Sequence, residues 1–414
     1  MLAALERELE GRPFVAIGVH SPKFPNERDE EMVREAVRRY GVTHPVVVDP
    51  GHAVWGEYGV RGWPTLVLID AEGYVAAAGS GEPALDSLRE AVESLLPEGT
   101  PPALPLRPEP APPGSLSFPG KVVADGHRVW IADTGHGQLV ACDLAGRELE
   151  RLDGFHHPNG IVRAGDDLYV ADTGSHTIVR VRDGHVETIA GTGEMARTLT
   201  VDGAGAREVA LRSPWDLAWD GELLYVAMAG SHQIWFYDPS VDEIGVFAGT
   251  GHELRRDGPA DEAAFAQPSG LALLDGALYV ADSEISSVRR VSLGLEPEVS
   301  TVCGSGDLFG FGDRDGVGDD VLLQHPLGIA ARDDVLYVAD SFNHKVKRVD
   351  PRSRECRTLF GGLQRLPETA PEPGLWEPEG LTVAGRELLV ADTNNHRIVA
   401  YDLESGARRV FFGG

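Results

Sequence analysis

A chain of 414 residues with 42% hydrophobic content has room for two or three domains and enough apolar material for buried cores. Its formal net charge of −28 would repel a phosphate backbone, which excludes nucleic acid and anionic membrane as ready partners. The three cysteines form no CxxC pair or Cys/His cluster, no apolar run reaches the roughly 18 residues of a membrane span, and the early charges do not read as a secretory signal; a cytoplasmic location without a cofactor is expected.

In chain order, Leu2 to Glu10 has apolar residues at 2, 5 and 9, a helical spacing, and Phe14 to Val19 reads as a short buried strand. A helix from about Arg28 to Tyr40 buries Met32, Val33, Ala36 and Val37. A strand at Pro45–Asp49, a helical turn at Ala53–Tyr58, a hairpin of Thr65–Ile69 and Tyr74–Ala78 across Ala71-Glu72-Gly73, and a helix at Pro83–Leu96 complete an α/β order over residues 1–96. Prolines 97, 101, 102, 105, 108, 110, 112 and 113 then mark a semi-rigid polyproline spacer over 97–117.

From residue 118 to 414 six units repeat: FPGKVVADGHRVWIADTGHGQLVACD, HPNGIVRAGDDLYVADTGSHTIVRVR, SPWDLAWDGELLYVAMAGSHQIWFYD, QPSGLALLDGALYVADSEISSVRRVS, HPLGIAARDDVLYVADSFNHKVKRVD and EPEGLTVAGRELLVADTNNHRIVAYD. They open on Pro119, Pro158, Pro214, Pro268, Pro326 and Pro378, with periods of 39, 56, 54, 58 and 52 residues. A further apolar stretch trails each unit, least regular in the first. Four short strands per unit, a to d, make one blade, so the expected architecture is an all-β six-bladed propeller.

The b–c hairpins and d–a connections share one rim. Three of the longer connections repeat Asp202-Gly203 before Leu211, Asp257-Gly258 before Phe265 and Asp315-Gly316 before Leu323, each apolar residue three before a blade proline; a plug between blades is expected. The hairpins pair Asp172 with His176, Asp340 with His344 and Asp392 with His396, while blade three has Met228 and His232. Such pairs recur too often to be catalytic and are expected to satisfy backbone groups of a tight turn. A metal-binding ring of histidines, joined by His157 and His325, is the alternative. The acidic run Asp313, Asp315, Asp319, Asp320 departs from a calcium loop at Val317 and Gln324, so a solvated loop is expected. Phe309, Phe311 and Trp376 beside Asp313 and Asp315 are the candidates for holding a basic or neutral protein or peptide partner on this rim.

The six units resemble NHL repeats. Upstream, YGVRGWPTLVLIDAEGYV resembles the thioredoxin fold, and the resemblance implies a cis Trp63–Pro64 bond opening the strand at Thr65; HPVVVDPGHAVWGEYGV is similar to membrane-anchored thioredoxin and peroxiredoxin-like branches. The whole arrangement, with GVHSPKFPNE and AMAGSHQIW, resembles a family joining a thioredoxin-like domain to an NHL propeller. That family implies thiol–disulfide or redox-sensing chemistry at a Trp-Cys-x-x-Cys motif which this sequence does not contain. Met1 is accordingly expected to be an internal methionine or misassigned start, with an apolar strand and a Cys-x-x-Cys pair encoded upstream. The family's β-rich segment beyond the propeller is also missing.

Related propeller lyases hold zinc with histidines directly after the blade proline, whereas the residues here are Gly120, Asn159, Trp215, Ser269, Leu327 and Glu379. Three readings stand: a redox-associated protein whose propeller recruits partners, a non-enzymatic interaction scaffold, and a metal-dependent propeller hydrolase or lyase. The chain as given is expected to lack disulfide reductase activity, because Cys142, Cys303 and Cys356 fall in propeller strands.

Overall fold

A computed structural model describes residues 1–99, 109–110, 114–196, 204–363 and 374–414. The chain falls into two compact units, Met1–Pro112 and Pro113–Gly414. Most of the proline-rich spacer, and Asp202-Gly203, lie outside the described residues.

The first unit runs α1 (Leu2–Glu8), β1 (Gly18–His20), α2 (Glu30–Arg39), β2 (Val46–Val48), α3 (Ala53–Glu57), β3 (Thr65–Ile69), β4 (Val75–Ser80) and α4 (Leu85–Glu93). Helix α2 starts where the Asp29 carboxylate accepts the Glu31 N–H at 2.9 Å, and it carries Glu30 and Glu31 in its first turn and Arg38 and Arg39 in its last, as the helix dipole favours. Leu5 and Leu9 pack on Leu88 and Val92 to form the core. Strands β1 and β2 pair in parallel, and β3 and β4 form a separate antiparallel hairpin.

The expected buried strand Phe14–Val19 is shorter and more open than its apolar pattern implied. Pairing starts only at Gly18, because β2, its partner, is three residues long. Val15, Ile17 and Val19 are 43%, 60% and 44% exposed.

The second unit is a six-bladed propeller. In each blade the turns fall where Gly, Asp and Asn punctuate the apolar runs, so four consecutive strands pair antiparallel with their sequence neighbours. Strands a, which start at Pro119, Pro158, Pro214, Pro268, Pro326 and Pro378, pack side by side around the axis, the last against the first. Among the described residues no blade mixes strands from the two ends of the propeller, so the ring is closed there by packing rather than strand exchange.

Two features go beyond the expected four strands. The connections ahead of blades three, four and five each add a two-residue outer strand, Ala204–Gly205, Gly258–Pro259 and Gly316–Val317, paired to strand d of the blade that follows. The plugs number six among the described residues: Leu116, Phe155, Leu211, Phe265, Leu323 and Leu375 all lie three residues before a blade proline and are buried between neighbouring blades. Leu116 packs on Val140 of blade one and Ile398 of blade six, which seals the ring.

Candidate binding rim of the propeller

The b–c turn ends in a left-handed residue, Gly137, His176, His232, Ser286, His344 or His396, and the residue before each blade proline is left-handed as well. Two such reversals face each other at every blade junction and leave backbone groups that need partners. The Asp-Thr-x-x-His pattern supplies them.

The blade aspartates accept the N–H of the residue two before the proline: Ser117 to Asp133 at 2.6 Å, His156 to Asp172 at 2.7 Å, Ala266 to Asp282 at 2.7 Å, Gln324 to Asp340 at 2.7 Å and Trp376 to Asp392 at 2.6 Å. In blade three the Met228 sulfur takes this role for Arg212 N–H at 3.4 Å. Each histidine accepts, at Nδ1, the N–H just before the next blade's proline: Ser213 to His176 at 3.1 Å, Gln267 to His232 at 3.0 Å, Glu377 to His344 at 3.2 Å and Phe118 to His396 at 3.0 Å. Ser286 Oγ replaces the imidazole for His325 N–H at 3.2 Å. A third bond escaped the sequence reading. The hydroxyl after the aspartate, on Thr134, Thr173, Ser283, Ser341 or Thr393, donates to the next blade's proline carbonyl at 2.6–2.8 Å. Its signal was the Thr or Ser in five of six repeats. The recurrent pair is thus an inter-blade clasp that turns the imidazole Nδ1 to backbone.

An accepting Nδ1 must be unprotonated, and burial pushes His176 and His232 below the usual imidazole range. Their stabilisation is full above about pH 6.5, the unfolded value, and is lost as pH falls below it toward the folded value. The buried aspartates act with the opposite sign: burial pushes Asp340 up to about 7 despite bonds from Asn343 and Gln324 N–H, so its contribution grows as pH falls. His232→Asn keeps an acceptor and tolerates the left-handed turn without titrating. The stability gap between wild type and His232→Asn, from urea unfolding, should be flat above pH 7 and turn against wild type below pH 6.5. Parallel curves from pH 8 to 5 would refute the clasp's acid sensitivity.

Asp313 and Asp315 are held by lysines from strand c of blade five. Lys347 Nζ lies 2.7 Å from Asp313 and 2.9 Å from Asp315, and Lys345 also pairs with Asp313. Thr358 donates to Asp315 from its N–H at 2.9 Å and its hydroxyl at 3.0 Å. Burial would raise the Asp315 carboxyl, but the Thr358 N–H and Lys347 hold it below the usual range. Asp257 repeats the device with Arg289 and Thr301. The four aspartates of the acidic run stay exposed to solvent as expected, but Asp313 and Asp315 are also latched onto blade five by Lys345, Lys347 and Thr358.

Trp376 is corrected too: it is 5% exposed, because its N–H is clasped by Asp392 beside the Leu375 plug. His325 stacks on Phe342 at 4.5 Å and lies 3.3 Å from Glu284, and His157 contacts His156 edge-on at 5.1 Å. Phe311 is half-buried, whereas Phe309 is 69% exposed. Phe309 sits in a turn closed by Gly310 N–H to Asp307 O at 2.9 Å, beside an open crevice lined by Leu254, Arg255, Ser305, Asp307 and Leu308.

Sequence reasoning also missed the axis. The residue two after the blade proline is Gly160, Gly270, Gly328 and Gly380 in four blades, and a Cβ at Gly328 would lie 1.8 Å from Glu379 O. Blades one and three carry Lys121 and Asp216 there instead. Both are buried and their charged atoms lie 3.6 Å apart, with Lys121 also donating to Ser269 O at 2.9 Å and to Leu327 O. Glu379 accepts from Asn159 at 2.9 Å and from the Trp215 indole at 3.1 Å. Asn159, Trp215 and Glu379, each directly after its blade proline, are thus bonded to one another at the axis beside the Lys121–Asp216 pair.

In the first unit the Trp63–Pro64 bond is cis, as the resemblance implied. Trp63 donates from its indole to Ser21 O at 2.8 Å and packs on Trp55 at 4.5 Å, and Thr65 Oγ1 donates to Gly62 O at 2.7 Å.

Blade geometry and clasp together define a six-bladed β-propeller of repeated four-stranded units. The NHL repeat model matches residues 375–401, which lie in the sixth blade and its approach. Over 98% of its length the chain is 38% identical to human NHL repeat-containing protein 2, spanning 64% of that protein. It is 37% identical, over 98% of its length, to Protein SUPPRESSOR OF QUENCHING 1, chloroplastic, of Arabidopsis thaliana, spanning 43% of it. A shorter match, 30% identical over 22% of this chain and 49% of the other, is to the thiol-disulfide oxidoreductase ResA of Halalkalibacterium halodurans. Among solved structures, an auxiliary nutrient binding protein of Bacteroides thetaiotaomicron superposes with TM-score 0.52 at 11% identity over 68% of each chain; this likeness shows the fold alone. The chain thus spans less than two thirds of the curated relatives it matches along its length.

Proposed function

We propose that the propeller is the partner-recruiting part of a redox-associated protein, with a protein or peptide of neutral or basic character held on the rim around Phe309. The observation that carries this is one large apolar side chain, 69% exposed, displayed by a closed turn on a rim whose Asp and His residues are otherwise committed to holding blades together. Loops fixed on a rigid scaffold are where recognition concentrates, and a net charge of −28 favours non-acidic partners.

The redox half of the reading is supported by the similarity to ResA over the first part of the chain. The three cysteines of this chain are buried in the propeller, and burial pushes the Cys142 thiol up to about 12. These thiols are unsuited to catalysing disulfide exchange with a partner. No helix among the described residues is long and apolar enough to cross a membrane. The cytoplasm remains the proposed location, beside a relative named as chloroplastic.

A photo-crosslinking amino acid at position 309 should trap a discrete adduct in native cells, and one at Asp333, on the opposite rim, should not. Phe309→Ala should reduce co-purification of that same partner at least about tenfold, the effect of losing an interface anchor of roughly 1.4 kcal/mol or more. Adducts from position 333 alone would move recognition to the other face.

A further inference from the structure

We infer that Cys303 and Cys356 form an oxidation-dependent cross-link between the fourth and fifth blades. Cys303 ends strand d of blade four, Glu298–Cys303, and Cys356 lies in strand d of blade five, Glu355–Gly361. Both side chains are fully buried in one cluster with Val288, Leu323, Val338 and Val349, and the Cys356 thiol lies close enough to act on the Cys303 thiol. The backbone holds them there. Gly304 N–H donates to Gly318 O at 3.2 Å, and Gly316, in the same loop, is the register partner of Cys356. One loop therefore stitches both strands together beside the two cysteines. Cys142 lies in a different cluster, between blades six and one.

With a peroxide as oxidant the step balances. One cysteine, as thiolate, attacks a peroxide oxygen; the O–O bond breaks, a first water leaves and a sulfenic acid forms. The second thiol then attacks that sulfur, forming the S–S bond and releasing the sulfenic oxygen as a second water. Two thiols are oxidised and one hydrogen peroxide is reduced to two waters. The contact with Cys356 and burial push the Cys303 thiol well above the usual range, so thiolate is scarce and the reaction waits on transient opening of the blade interface. The same shielding slows reduction of the finished bond, which waits on the same opening. The pair is suited to register sustained oxidation and to slow blade separation afterwards.

The test exposes the folded full chain to hydrogen peroxide, quenches it with a maleimide in denaturant and maps the peptides. A Cys303–Cys356 linked peptide lighter by two hydrogens is expected, with Cys142 alkylated. Unfolding in guanidinium should slow at least roughly tenfold, return to the original rate with dithiothreitol, and be indifferent to peroxide in Cys356→Ala. Both thiols remaining free after prolonged exposure would overturn the inference. So would separate oxidation of each to the sulfinic acid, pairing only in the unfolded chain, or a linked peptide with no change in unfolding rate.

Discussion

Lys121→Met is expected to destabilise the propeller by about 3–5 kcal/mol, the cost of leaving one member of a buried ion pair without its partner. Lys121 Nζ reaches from blade one to carbonyls of blades four and five and lies 3.6 Å from Asp216 in blade three. Burial already raises the Asp216 carboxyl despite that ammonium and the Leu271 N–H bonded to it at 2.9 Å. Without the lysine the carboxyl must protonate to stay buried. Its folded value then lies further above the unfolded one, and the penalty grows as pH rises through the gap between the two. Urea unfolding should therefore show a larger loss at pH 8 than at pH 5. Lys121→Met/Asp216→Leu should recover part of the loss, because no charge is left stranded. A single-variant loss under 1 kcal/mol, or one independent of pH, would remove the keystone role.

Arg289→Met is expected to cost a similar amount, about 3–5 kcal/mol, and to loosen the connection ahead of blade four. The guanidinium is fully buried. One nitrogen donates to Asp282 at 2.8 Å and Ala264 O at 3.0 Å; the other donates to Asp257 at 2.8 Å and Arg256 O at 3.0 Å. Removing this fork strands two carboxylates and two carbonyls together, including Asp257, which also accepts from Thr301. Lys347→Met should cost less, since Lys347 stands 3.9 Å from Asp340 and its closer partners lie in the outer latch. Hydrogen exchange over residues 252–266 should rise in Arg289→Met. Unchanged protection there, with an intact fold, would mean that the plug Phe265 alone holds the loop.

Within each blade most of the architecture was legible, because pairing is local. Strand c of blade two, Thr177–Arg182, finds partners on either side within about ten residues, so apolar runs and turn residues suffice to mark it. The plug was legible at Leu211, Phe265 and Leu323, where an Asp-Gly pair draws attention to the connection. Leu116, Phe155 and Leu375 lack that signal and were missed. The turn role of His176, His232, His344 and His396 could be inferred from recurrence, but not their partners, which belong to the next blade. Trp376 was read as an exposed rim candidate and proves buried, since an indole before a blade proline reads the same in either setting.

The amino-acid sequence by itself determined the six blades, their order and the α/β character of the first unit. These follow from periodicity and turn chemistry acting over a few residues. Only the tertiary structure decided that Lys121 meets Asp216, that Arg289 joins Asp257 to Asp282, that His396 clasps Phe118 to seal the ring, and that Cys303 and Cys356 share one buried cluster. Such contacts exist only after the blades close into a ring. Closure brings side chains far apart in the chain into one low-dielectric interior, where an unpaired charge or backbone group costs most.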